Sequence, residues 1–152
     1  MNSDSAWYLL NHYSFSKLTT MAIFASLKIE GVTYDTVISV DYQFTQAIDI
    51  TGRPSDRPRG GMIQLTLPAP DNNNLFFHEW MRDGEALHDG EILFTVTNNG
   101  KVSDKTLNFS NAYCVGLHEH FDYTEKGAMT LQLTLSAGSI TFGDKCEFKL
   151  ID

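Results

Sequence analysis

The stretch TGRPSDRPRGGMIQLTL, Thr51–Leu67, begins as a loop and ends as a strand. Gly52, Pro54, Pro58, Gly60 and Gly61 exclude regular structure from its first half, because proline fixes φ and lacks a donor while glycine tolerates any φ. From Met62 the pattern alternates: Ile63, Leu65 and Leu67 take one face, Gln64 and Thr66 the other. That is the period of a half-buried strand. Three of the chain's four arginines, Arg53, Arg57 and Arg59, fall inside the loop, although the formal net charge is −8. A cationic loop on an acidic body suits contact with an acidic surface, and a solvated basic loop is the plain alternative.

Outward from this stretch the same alternation recurs. Upstream, Ile23–Glu30 reads as a strand with Ile23, Ala25, Leu27 and Ile29 on one face, ended by Gly31. Thr36–Ile50 places Ile38, Val40, Tyr42, Phe44, Ile48 and Ile50 on a common face. Extended throughout, such a strand would reach on the order of 50 Å, too long for a compact body of this size, so part of it is expected to project. Downstream, Leu67-Pro-Ala-Pro70 closes the strand. Glu91–Thr97, Lys105–Phe109, Ala112–Asp122, Met129–Ala137, Ile140–Phe142 and Cys146–Ile151 read as further strands, with a hairpin turn at Asn98-Asn99-Gly100.

One helix interrupts them. Asp71–Asn74 offers capping side chains, and Asn74–Arg82 then stacks Phe76 over Trp80 and Phe77 over Met81 at i,i+4 spacing. Phe76, Phe77, Trp80 and Met81 are expected to form a structural core against a sheet, with Gly84 ending the helix. The pattern predicts a mainly β fold: an antiparallel β-sandwich or barrel, one short α-helix packed against it, and an extended inter-strand loop.

A chain of 152 residues, 42% hydrophobic, is one ordinary domain. Its acidic balance argues against a nucleic-acid surface. No run is long enough to span a bilayer, so no stable membrane insertion is expected. Cys114 and Cys146 make neither a disulfide framework nor a zinc site and are expected to be free buried thiols. Residues 1–20 carry no patterned apolar face and no cleavable signal peptide, because Trp7–Leu10 is too short a core. They are read as an N-terminal extension, disordered or preceding the native start, before a single domain at 21–152.

The best constellation for chemistry is His118-Glu119-His120, whose imidazoles would share one side of a strand. A metal would need a third ligand, and His78, His88 and Asp122 are the candidates, none fixed by spacing. Polar histidines without a metal are the plainer reading. His78-Glu79 lacks the second histidine of a metalloprotease helix, Arg59-Gly60-Gly61 precedes a strand and so is no phosphate loop, and no serine lies in a nucleophile elbow. The residues therefore assign no catalytic, cofactor or metal site.

Asp49-Ile-Thr-Gly-Arg-Pro-Ser55 followed by Arg59-Gly60-Gly61 resembles the signature of Bacteroidetes type VI secretion tube proteins, of the hemolysin-coregulated protein family. Leu75–Met81 (LFFHEWM), Ala112–Val115 (AYCV) and Met129–Ala137 (MTLQLTLSA) follow in the family's order. The resemblance runs from Met21 to the C-terminus. It implies a structural protein that forms homohexameric rings with a central lumen, stacked into a tube. A contractile sheath would drive that tube, with a tip spike and effectors as further partners and no cofactor or enzymatic activity. It also implies assembly in the cytoplasm and secretion on firing. Arg53, Pro54, Arg57, Arg59, Gly60 and Gly61 would then form the ring-stacking loop. A monomeric β-sandwich that binds a carbohydrate or a secreted partner is the alternative.

Overall fold

The structure, a computed structural model, describes residues 24–126 and 128–150. The extension read at residues 1–20 lies outside them. Among the described residues, nine strands and one α-helix follow in order: β1 Phe24–Ile29, β2 Val32–Tyr34, β3 Ser39–Tyr42, β4 Met62–Pro68, α1 Phe76–Arg82, β5 His88–Asn98, β6 Lys101–Phe121, β7 Met129–Ser136, β8 Ser139–Phe142 and β9 Cys146–Lys149. All pairings are antiparallel.

The strands form two layers joined by β6. Its first half pairs with β5 and β8, and with β1, β2 and β9 they make sheet A. Its second half pairs with β7, which continues through β4 to β3 as sheet B. The run of sheet neighbours from β2 to β3 stays open, so the architecture is a sandwich and not a barrel. Leu27, Ile29, Ile92, Leu107 and Phe109 of sheet A meet Ile63, Leu65, Leu67, Leu131, Leu133 and Leu135 of sheet B in one core.

Lys105–Phe109 and Ala112–Asp122, read as two strands, are one strand of 21 residues. Asn111, at φ +52, and a register shift between Cys114 and Gly116 bend it where it passes between sheets. Bulged corners of this kind let one strand serve two layers. Two hairpins turn on two residues of positive φ, Glu30-Gly31 and Asn99-Gly100, the geometry that matches strand twist. The short β2 after the first turn has only three residues, too few for an alternating pattern to mark.

The helix is shorter than read, starting at Phe76. Asn74 Oδ1 accepts from the Phe76 N–H at 3.3 Å, and Asn74 Nδ2 donates to the Tyr34 hydroxyl at 2.9 Å. Phe77 and Trp80 are buried, Phe76 packs at the margin of the core, and the Trp80 indole donates to the Ala86 carbonyl at 3.1 Å. Met81 departs from the expected core set: it is 40% exposed, because the helix presents only one narrow face to the sheet. Its Sδ lies 3.9 Å from the Cys114 sulfur. Cys114 is buried, and that burial pushes its thiol pKa up; Cys146, expected to be buried, is exposed at the start of the last strand. Both are free thiols.

Candidate assembly surface

The long alternating segment and the arginine loop are two limbs of one arm, residues 43–61, rising from β3 and returning to β4. Only Ser39–Tyr42 of the expected fifteen-residue strand lies in the sheet; beyond it the two limbs pair only intermittently. Thr45 and Arg59 exchange backbone hydrogen bonds of 2.8 and 2.6 Å, Ser55 N–H donates to Ala47 at 2.8 Å, and Asp49 N–H donates to Arg53 at 2.8 Å. The prolines explain the interruptions, since Pro54, bridged to Ile48, has no N–H to give.

The tip is a turn held by one carboxylate. Asp49 Oδ1 accepts from the Thr51 hydroxyl at 2.6 Å, the Thr51 N–H at 2.8 Å and the Arg53 N–H at 3.1 Å. The Thr51 hydroxyl, then the Arg53 and Thr51 N–H groups, hold its pKa below the usual carboxylate range. The turn therefore keeps its clasp at neutral pH and loses it only as pH falls through that lowered value.

The root is aromatic. Phe44 stacks on Phe148 at 4.0 Å and 12°, with Tyr42 and Phe142 against them. Gly60 and Gly61 sit at this root and not at the tip. A Cβ on Gly60 would fall 2.5 Å from the Gln43 carbonyl oxygen, so the two limbs approach there only without a side chain.

Arg53 and Pro54 are exposed near the tip, and Arg57 is half-buried. Arg59 reaches within the arm instead of outward: its Nε and Nη2 donate to Asp56 Oδ2 at 3.1 and 3.0 Å. Asp56 also accepts from the Arg57 N–H, and these donors hold its pKa low, the Arg57 N–H foremost. Ile48 and Ile50, placed by alternation on the same face as the buried-side residues, are exposed at 67% and fully. The sequence signal for them was the length of the alternation, which outruns the sheet available to cover it.

Two histidines share one face and the other two described ones lie elsewhere. His118 and His120 face outward from sheet B beside Gln132 and Thr130. Of the proposed third ligands, His78 pairs with Glu119 and His88 Nδ1 meets Glu30 Oε1 at 2.7 Å, while Asp122 comes to His120.

The model of the family "Hemolysin coregulated protein Hcp (TssD)" matches residues 21–149. The chain belongs to that family. Hcp1 from Flavobacterium johnsoniae is 31% identical and superposes with a TM-score of 0.70, covering 83% of this chain and 98% of that one. The secreted protein Hcp3 from Pseudomonas aeruginosa shares the fold at 14% identity and a TM-score of 0.55, over 86% and 100% of the two chains. The sheath/tube terminator of an extracellular contractile injection system in its extended state shares it at 19% identity and a TM-score of 0.50, over 78% and 92%. No curated protein is significantly similar to the chain. The arm is the part of this chain that leaves its sandwich core, and the family match runs through it.

Proposed function

We infer that this Hcp-family chain is a structural subunit of a type VI secretion tube, and that its arm joins one hexameric ring to the next. The observation that carries the reading is an arm with a built root and a clasped tip that ends in uncovered apolar and cationic groups. Ile48 and Ile50 stand exposed beside Arg53, on a chain of net charge −8. Solvent alone gives no reason to hold two isoleucines on a shaped projection. A second copy supplies both an apolar surface and the carboxylates that an arginine fork pairs with.

Ring formation is supported by β2, β3 and β9, which are edge strands among the described residues and offer outer backbone groups to a neighbouring copy. In this reading no bond chemistry falls to the subunit. Its partners are itself, the sheath, the tip spike and the cargo, and it assembles in the cytoplasm before leaving the cell on firing. No described helix is long and apolar enough to cross a membrane.

The test is native mass and negative-stain microscopy on the full chain and on the double variant Arg53→Glu/Ile50→Asp. The wild-type chain is expected to run as a hexamer and to stack. The variant is expected to keep folded hexamers and lose stacks, because about 1 kcal/mol per contact is multiplied around the ring. Variant monomers would place the arm inside the ring interface, unchanged stacks would make it a solvated loop, and a monomeric wild type would favour the β-sandwich binding module.

A further inference from the structure

We propose that His120, Asp122 and Glu125 form a binding site for a divalent transition cation of the zinc type, at the point where β6 leaves sheet B. One ligand atom from each residue lies within 4.8 Å of the others. Three elements of local structure bring them together. His120 stands on the outer face of β6, opposite Thr130, and is exposed. Asp122 leaves the strand still extended, at φ −133 and ψ 119, and opens a single 3-10 turn over Tyr123–Glu125. The Glu125 N–H donates to the Asp122 carbonyl at 3.1 Å, and Lys126 follows at φ +58, so Glu125 folds back toward the strand it came from.

The Asp122 side chain is aimed. Thr124 donates to Oδ1 through its N–H at 2.8 Å and its hydroxyl at 2.6 Å, and both bonds use the same oxygen. The turn thus does not consume Oδ2. The donor set is then one imidazole nitrogen and two carboxylate oxygens, with room for water to complete the shell. Imidazole is a poor ligand for magnesium or calcium and a good one for zinc, cobalt and nickel, so the set selects the latter class. Around such an ion neighbouring donors sit roughly 3.3 Å apart. His120 and Glu125 are both exposed, so their side chains have solvent around them in which to close on the ion.

His118 stands two residues earlier on the same face, about 7 Å along the strand, and places a second imidazole beside the site. The other described histidines are engaged elsewhere: His78 pairs with Glu119, and His88 with Glu30. The site lies outside the arm, and nothing in its geometry depends on ring assembly.

The experiment is a titration of the full chain, stripped with chelator and dialysed, with Zn2+ followed by heat and with Co2+ followed by its visible absorption. The expected result is saturable binding of about one ion per chain in the micromolar range, with a Co2+ spectrum of mixed nitrogen and oxygen ligands. His120→Ala and Glu125→Gln, both at exposed positions, are expected to weaken it at least about tenfold, as loss of a ligating or supporting group does. His78→Ala is expected to leave it unchanged. Circular dichroism of each variant separates loss of a ligand from loss of the fold. Absence of saturable binding in the wild type, or binding that survives both His120→Ala and Glu125→Gln, would overturn the assignment.

Discussion

A methyl group added at Gly61 would stand 2.8 Å from the Ala137 carbonyl oxygen and 2.9 Å from Leu150 Cδ1, at a backbone φ of +92. Gly52, in the same arm at φ +86, has open space around it. The two glycines share the conformational strain of an L-residue in that region, about 1–2 kcal/mol, and differ only in the collision. Gly61→Ala is therefore expected to lower stability in urea clearly more than Gly52→Ala, by an excess of at least about 1 kcal/mol. Equal losses would show that the root yields without cost. At this scale the sequence announces that a special backbone is needed but not what presses on it. The arginines behave likewise. Their clustering is legible from spacing, whereas the pairing of Arg59 with Asp56 depends on how an irregular loop folds back, which no period encodes.

Seven residues of helix have too few internal hydrogen bonds to stand alone, so α1 exists because Phe77 and Trp80 are buried against the sandwich. Trp80→Ala is expected to cost about 3–5 kcal/mol, and Met81→Ala, on the exposed side of the same turn, on the order of 1 kcal/mol. Denaturant unfolding of the two variants checks the pair; similar losses would mean that the helix docks through both faces. The i,i+4 pattern identified the helix but could not rank its two apolar pairs, because Met81 is apolar and lies just off the buried face. Strands divide in the same way. Met129–Ala137 and the Asn99-Gly100 turn were legible because strict alternation and a paired positive-φ turn have one structural solution each. The continuity of β6 was not, since Ser110-Asn111 looks like a loop and becomes a bend only when two sheets claim its two sides.

For the molecule as a whole, the match to the Hcp family begins at residue 21, two residues before the alternation that starts at Ile23. A chain starting at Met21 is expected to keep the melting temperature and the oligomer size of the full chain. Loss of several degrees, or a fall to monomer, would show that residues 1–20 pack on the domain. The sandwich and its arm were readable from period and length, because burial imposes both; the exposure of Ile48 and Ile50 was not, because alternation marks a face without saying what lies against it. The strand shared by the two sheets has one more consequence. Melting one layer strips the other of its half of the common core and frees half of the strand they share. The subunit should then lose its structure in one all-or-none step, with heat and denaturant reporting the same transition from either sheet. A wall built of such subunits would have no soft layer along which a thrust could shear it.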